Sequence, residues 1–226
     1  MNIRDLTRLH DELNPKLWYD NNLRREVELH LLQIAKAFVK FINIPNLQLT
    51  DITISGSNAS YNYNAKSDID LHLVVDEKSK CYEPLKELFL AKKSLFNDQH
   101  DITIRGVAVE VYVQEKGQAH ISNGVYSILR DEWLKQPKPM ISDVDKTNVL
   151  HKYEFMKHEA VQAIKSNDPS KLEHVKARIK DMRSAGLAAN GELGAENLAF
   201  KLLRNSGLLE KLYSSATQAQ DEKLSL

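Results

Sequence analysis

Residues 54–71 read ISGSNASYNYNAKSDIDL, and the two ends of this segment decide the fold. The first end follows a β-rich stretch, residues 47–54, and turns at Gly56-Ser57. Glycine allows a backbone to approach a phosphate closely, amides at a helix start attract negative charge, and the Ser57 hydroxyl can donate a hydrogen bond. Ordinary turns use the same residues. Taken alone, Gly56-Ser57 is therefore more typical of a structural turn than of a phosphate site.

The second end of the segment places two carboxylates at the start of a strand. Residues 69–75 are nearly all apolar, as in a central strand. Side chains alternate along a strand, so Asp68 and Asp70 share one face while Ile69 lies on the other. Adjacent carboxylates repel each other, and Mg²⁺ relieves this repulsion while also binding substrate phosphates. The alternative interpretation is a solvated strand edge that carries two surface aspartates.

A third acid, Glu110, interrupts the apolar strand of residues 107–113. Residues 102–104 and this strand flank Arg105-Gly106, a pattern that predicts a hairpin. An acid in such a strand is costly unless it faces water or a metal. If the strand lies beside residues 69–75, three carboxylates converge. Such a cluster can hold two ions that activate an attacking hydroxyl and stabilise a leaving pyrophosphate.

The two ends of the segment together resemble a known signature. Gly56-Ser57-Asn58-Ala59, followed after Tyr61 by Ser67-Asp68-Ile69-Asp70-Leu71, is similar to the Gly-Ser to Asp-x-Asp motif of the nucleotidyltransferase superfamily. The resemblance extends over about residues 47–113. It implies an α+β protein with a mixed-sheet core like that of DNA polymerase β, an N-terminal helix and a C-terminal helical domain. Many members of the family carry glycine where this chain has Tyr61, so the pocket mouth is expected to differ.

The resemblance also implies roles for individual residues. Gly56 and Ser57 would bind the triphosphate, whereas Asp68 and Asp70 would bind two Mg²⁺ (or Mn²⁺) ions. Glu110 is the candidate for the third acid, a position at which the family often has aspartate. The implied activity is transfer of a nucleoside monophosphate from a nucleoside triphosphate, ATP among them, to a hydroxyl acceptor with release of pyrophosphate. Lys66 could reach a phosphate, although a solvated loop lysine explains it equally well.

The hydrophobic pattern divides the chain into four segments. Residues 1–45 are predicted to form an N-terminal helical segment that packs on the core, because apolar positions in residues 23–41 recur at helical spacing. Residues 46–139 form the catalytic core, in which residues 125–133 fit a strand and a helix equally well. Residues 140–213 form a C-terminal helical domain. Residues 214–226 are polar, and we expect them to be disordered.

Composition excludes several classes of protein. The chain of 226 residues balances 31 basic against 31 acidic side chains, which argues against a general nucleic-acid coat or a polybasic membrane binder. A single cysteine excludes an intramolecular disulfide framework. No apolar run reaches the length of a membrane span, so we expect a cytoplasmic protein without a membrane partner. Residues 14–18 and 194–203 resemble segments of phage-encoded proteins, which would place the protein in the host cytoplasm.

Two other functions compete with the enzyme. The first is an inactive member of the same fold that binds a nucleotide or a protein. The second is a nucleic-acid-binding module that uses Lys176, Lys180 and Arg183, which share one helical face. For the enzyme itself, the acceptor could be an RNA end, another nucleotide, a small molecule or a protein hydroxyl. The sequence does not indicate an oligomeric state.

Overall fold

A computed structural model describes residues 3–45, 47–76, 82–118, 122–139 and 144–225. Cys81 lies outside these ranges. The chain divides into two compact units, Leu9–Met140 and a second unit made of Met1–Arg8 with Ile141–Leu226. We call them the sheet unit and the helical unit. The segment expected at residues 1–45 is therefore shared between the two units.

Within the described residues, six strands form the mixed sheet of the sheet unit, in the order β5-β6-β4-β3-β7-β8. The pair β4–β6 is parallel, and the other neighbouring strands are antiparallel. This arrangement confirms the α+β class with a mixed sheet. The strands are β3 Leu49–Ser55, β4 Ile69–Val75, β5 Thr103–Ile104, β6 Val107–Glu115, β7 Val125–Ser127 and β8 Glu132–Lys135.

Local sequence explains the two hairpins at the edges of the sheet. Arg105 and Gly106 both have positive φ, 51° and 75°, as a two-residue hairpin turn requires, and the hairpin expected there is confirmed. Residues 125–133, which fitted strand and helix equally, form β7 and lead into β8. Tyr126 on β7 is buried, and its ring packs edge-on against those of Trp18 and Trp133.

Two helices, α2 Arg25–Ile42 and α3 Tyr82–Gln99, supply apolar side chains to the core of the sheet unit. The alternating pattern of β4 buries Ile69, Leu71 and Leu73 in this core. It leaves Asp70 and His72 half-buried on the opposite face. A short hairpin of β1 Trp18–Tyr19 and β2 Asn22–Leu23 precedes α2. One face of the sheet is thus apolar, and the other carries the candidate site.

The helical unit has capped helix ends and an apolar core that includes the first residues of the chain. Asp168 caps α5 by accepting hydrogen bonds from the amides of Ser170 and Lys171. Leu6 is buried with Val149, Leu198 and Leu202, which is why the first residues of the chain belong to this unit. The helices are α1 Ile3–Leu6, α4 Lys146–Ser166, α5 Pro169–Asn190, α6 Ala195–Asn205 and α7 Leu208–Leu224.

The expectation that residues 214–226 are disordered is wrong for residues 214–224. Helix α7 continues to Leu224, and Ala216 and Ala219 on it are buried in the core of the helical unit. Alanine contributes little to an apolar pattern, but it allows close packing between helices and favours helix strongly. In the described ranges, no helix is long and apolar enough to cross a membrane.

Candidate functional site

The Gly56 turn follows β3 and lies directly beside an acid. Gly56 has φ 74° and ψ −163°, a conformation that L side chains rarely adopt. Ser55 pairs with Asp70 across the β3–β4 ladder. A Cβ atom built on Gly56 would lie 1.8 Å from Oδ2 of Asp70 and 3.0 Å from its Cγ. Only glycine allows this carboxylate to lie against the turn.

The helix expected after Gly56 is a single 3-10 turn, Ser57–Ala59. A turn this short adds little of the charge that a long helix develops at its first amides. Ser57 donates a hydrogen bond from Oγ to Oγ of Ser67 over 2.8 Å. Asn58 donates from Nδ2 to the carbonyl oxygen of Asp68 over 2.8 Å. Side-chain hydrogen bonds therefore join the two ends of the motif.

The buried Asn58 also connects the motif to the N-terminal part of the sheet unit. Its Oδ1 accepts a hydrogen bond from Nδ2 of Asn14 over 2.8 Å. The indole nitrogen of Trp18 donates to the carbonyl oxygen of Asn58 over 2.7 Å. Residues 14–18 thus support the site. Sequence reasoning noted them only for their resemblance to phage-encoded segments.

The carboxylates of Asp70 and Glu110 lie on neighbouring parallel strands at the same register position. β6 therefore lies beside β4, which is the arrangement that the predicted convergence of the acids requires. Asp68 precedes β4 and is half-buried, as are Asp70 and Glu110. Among the described residues, no group of three or more His, Cys, Asp or Glu side chains is arranged as a metal site. Asp70 and Glu110 thus share a register position, but the structure does not bring the three acids together as the predicted metal cluster.

Tyr112 holds one oxygen of Glu110. Its hydroxyl donates a hydrogen bond to Oε2 of Glu110 over 2.5 Å. Burial, the negative charge of Asp70 and this hydrogen bond raise the pKa of Tyr112 far above its usual range, so the phenol keeps its proton. Nζ of Lys93 lies 3.9 Å from the centre of the Tyr112 ring. The ring of His72, at the same register position on β4, stacks on the ring of Tyr112, with the ring centroids 5.0 Å apart.

Asn97 on α3 fixes the backbone next to Glu110. Its Nδ2 donates to the carbonyl oxygen of Val111 over 3.2 Å, and its Oδ1 accepts from the amide of Val111 over 3.1 Å. The side chain thus completes two backbone hydrogen bonds beyond the end of the short strand β5. His72, in turn, lies 3.0 Å from Oγ of Ser55 through Nε2. Both contacts support the strands that carry the acids.

The donor chemistry of the site fits a hard divalent cation. Magnesium is usually bound by one or two carboxylates together with waters and substrate phosphates, rather than by a cage made of protein alone. Asp68 and Asp70 are half-buried carboxylates at the start of β4, and the Asp70 carboxylate lies against the Gly56 turn. The two aspartates therefore satisfy the protein part of such a site.

The structure also shows the contacts of the other predicted cations, Lys66 and the stripe of Lys176, Lys180 and Arg183. Lys66 is exposed in the turn of residues 64–67, where its amide donates to Oδ1 of Asn64 over 2.9 Å. The stripe of Lys176, Lys180 and Arg183 is partly engaged within the helical unit. Lys176 contacts Glu173 and the ring of Tyr213, and the guanidinium of Arg183 lies 4.3 Å from the ring centre of Phe200. These contacts favour a packing role for two of the three cations.

Comparison with known proteins assigns no family. No family model matches the chain, and no curated protein matches it. Among solved structures, the chain is similar to that of the STING-associated CdnE c-di-GMP synthase from Capnocytophaga granulosa. The two share 12% sequence identity over 92% of this chain and 90% of that one, with a TM-score of 0.24. A likeness this distant assigns no activity, and it does not bear on the phage resemblance.

Proposed function

We propose that this protein is a metal-dependent nucleotidyltransferase. It would transfer a nucleoside monophosphate from a nucleoside triphosphate to a hydroxyl acceptor and release pyrophosphate. The observation that supports this function most strongly is the contact between Gly56 and the Asp70 carboxylate. A phosphate bound at the glycine turn would lie next to the acids, as phosphoryl transfer requires.

Binding of the triphosphate would use the backbone at Gly56 and the hydroxyl of Ser57. The space where a Gly56 side chain would begin is taken by the Asp70 carboxylate, so a phosphate at the turn would be held together with a metal ion bound to Asp70. Ser57 already donates to Ser67, and the same hydroxyl could donate to a phosphate oxygen after rotation. Lys66 follows in the next turn, where its long exposed side chain could add positive charge.

Asp68 and Asp70 would hold two Mg²⁺ (or Mn²⁺) ions, with Glu110 as the third acid. When bound, such ions would neutralise negative charge on the triphosphate and on the leaving pyrophosphate. Tyr112 keeps Glu110 oriented at the register position of Asp70. In the reaction, the acceptor oxygen forms a bond to the α-phosphorus, and the bond between that phosphorus and the bridging oxygen of the β-phosphate breaks. A carboxylate of the Asp70–Glu110 pair takes the proton of the hydroxyl.

The acceptor is not specified by the residues of this site. An RNA end, a second nucleotide, a small molecule and a protein hydroxyl are each compatible with the chemistry. The engaged contacts of Lys176 and Arg183 give no support to a nucleic-acid surface on that helix. An acceptor that is itself small would need fewer contacts than a long nucleic acid.

Pyrophosphate release from each of the four ribonucleoside triphosphates, measured with cell extract as a source of acceptor, tests the proposal. We expect Mg²⁺-dependent release by the wild type and a loss of at least about a hundredfold in Asp70→Asn and in Asp68→Asn. Asp76→Asn is the matched control, because Asp76 follows the other end of β4 and pairs with Lys116 at the surface. Equal release by Asp70→Asn and the wild type would rule out the proposed enzyme.

A further inference from the structure

Residues 122–124, Ser122-Asn123-Gly124, pack on the Gly56 turn although they are distant from it in sequence. The amide of Gly56 donates a hydrogen bond to Oγ of Ser122 over 2.9 Å. Asn123 donates from Nδ2 to Oγ of Ser60 over 2.9 Å. The segment therefore contacts both ends of the turn that we propose binds phosphate. Neither the hydrophobic pattern nor the motif indicated it.

Gly124 brings the segment unusually close to the turn. A Cβ atom built on Gly124 would lie 1.9 Å from the carbonyl oxygen of Ala59 and 3.1 Å from Cβ of Pro137. Any side chain at this position would push the segment away from residues 57–59. The side-chain amide of Asn123 is also fixed, because Nδ2 donates a second hydrogen bond, to the carbonyl oxygen of Lys138 over 2.8 Å. Ser122 is thus held at a defined position in front of Gly56.

A lysine lies beside the same serine. Lys135 on β8 donates from Nζ to the carbonyl oxygen of Ser122 over 2.6 Å. Its ammonium group is therefore separated from the Gly56 amide by the single residue Ser122. The partner in this contact is a neutral carbonyl, so the contact leaves the positive charge of Lys135 unneutralised. A phosphate bound at Gly56 would meet this charge.

We infer that Ser122 and Lys135 are phosphate-binding residues, an inference that rests on the proposed function. Oγ of Ser122 accepts the hydrogen bond of the Gly56 amide and therefore lies at the turn where the phosphate would bind. The same hydroxyl now donates to the carbonyl oxygen of Gly124 over 3.0 Å. Rotation of the hydroxyl would replace this neutral hydrogen bond by a bond to a charged phosphate, which is roughly twice as strong. Lys135 would neutralise part of the phosphate charge.

A purely structural role for residues 122–124 makes a different prediction. Support of the turn needs the hydrogen bonds of Ser122 and the close contact of Gly124, but it does not need the charge of Lys135. Lys135→Gln removes that charge and retains a donor for the Ser122 carbonyl. Lys138→Gln is the matched control, because Lys138 is a nearby exposed lysine whose backbone, not its side chain, contacts Asn123.

Calorimetric titration of the full chain with Mg²⁺ and inorganic tripolyphosphate, and with non-hydrolysable analogues of the four nucleoside triphosphates, tests the inference. We expect Lys135→Gln and Ser122→Ala each to weaken binding of tripolyphosphate and of the analogue that binds by about tenfold. Lys135→Arg and Ser122→Thr keep the charge and the hydroxyl, and they should bind within about twofold of the wild type. Lys138→Gln should bind as the wild type does.

The outcomes separate this inference from the proposed function. If the wild type binds neither tripolyphosphate nor any analogue, the proposed function fails and the inference fails with it. If the wild type binds but Lys135→Gln matches Lys138→Gln, the inference alone is overturned. Unchanged binding by a folded Ser122→Ala has the same consequence. Should Ser122→Ala not fold, the comparison of the two lysine variants decides the question.

Discussion

The carboxylate of Asp70 lies against the Cα atom of Gly56, with Oδ2 only 1.8 Å from the place where a side chain would begin. This relationship joins the two ends of the motif in space. It also makes Gly56 the position at which the smallest change should have the largest effect on the site.

Gly56→Ala should therefore destabilise the protein and abolish nucleotide binding. The positive φ of Gly56 alone costs a side chain about 1–3 kcal/mol, and the added methyl group must also displace Asp70. Gly117→Ala is the matched control, because Gly117 has φ 87° but no atom within 4 Å of the built Cβ. Chemical denaturation should show a larger loss for Gly56→Ala than for Gly117→Ala. Equal losses would show that the Asp70 contact is unimportant.

The repulsion between the negative charges of Asp70 and Glu110 should lower the free energy of unfolding. Asp70 and Glu110 occupy the same register position on neighbouring parallel strands, where two negative charges repel each other. We therefore expect Asp70→Asn to raise the free energy of unfolding by about 0.5 kcal/mol without Mg²⁺. Added Mg²⁺ should stabilise the wild type more than the variant.

The control for this change is Glu115→Gln on β6, the strand that carries Glu110. Glu115 lies opposite Val75, so its neutralisation relieves no cross-strand repulsion. Thermal unfolding with and without Mg²⁺ measures both effects. A stability of Asp70→Asn below that of the wild type in the absence of Mg²⁺ would contradict the expected repulsion.

Much of the sheet could be predicted because its signals are local. Short, nearly continuous apolar runs identified β4 and β6, and Arg105-Gly106 identified the hairpin between β5 and β6. The positions of the acids followed from strand parity. The family resemblance implied that Gly56-Ser57 and the Asp68/Asp70 pair belong to one site, and the structure places the Asp70 carboxylate against Gly56.

The rest of the site could not be predicted because it depends on side-chain hydrogen bonds between distant residues. Ser122 bonds to Gly56, Asn14 bonds to Asn58, and Asn97 bonds to Val111. None of these pairs leaves a periodic signal. The wrong prediction of disorder in the C-terminal tail has the same cause. Ala216 and Ala219 pack against other helices, and this packing leaves no signal in the local sequence.

Asn97→Ala should lower both stability and activity. The substitution removes the partners of the amide and the carbonyl oxygen of Val111, and a lost partner costs about 1–3 kcal/mol at a buried group. Because Val111 follows Glu110, movement of this backbone would also shift the acid. Ser94→Ala on the same helix removes only an exposed contact with Asp98 and serves as the control. Wild-type activity in a destabilised Asn97→Ala would show that Glu110 needs no such support.

The helical unit should lose stability in acid through Glu196. This carboxylate lies 3.1 Å from Nζ of Lys152 on α4. Burial would raise the pKa of Glu196, but hydrogen bonds from its own amide and from Lys152 outweigh burial and lower it. A lowered pKa in the folded state contributes stability that is full above the ordinary value of 4.5 and is lost as the pH falls through the folded value.

Glu196→Gln should therefore be less stable than the wild type near neutral pH, and the difference should shrink as the pH falls below about 4. Denaturation of both proteins across this range provides the measurement. Glu154→Gln, which removes an exposed pair with Lys157, should show a smaller difference at neutral pH. A gap between Glu196→Gln and the wild type that persists unchanged in acid would contradict the assigned role.

The fate of phosphate label tests the central claim most directly. The protein is incubated with Mg²⁺, cell extract and each nucleoside triphosphate, labelled either at the α- or at the γ-phosphate. Transfer of a nucleoside monophosphate predicts that α-label enters an acceptor and γ-label leaves as pyrophosphate, and that Asp70→Asn does neither. Transfer of γ-label to the acceptor, or its release as inorganic phosphate with no α-label transferred, would contradict the proposed reaction.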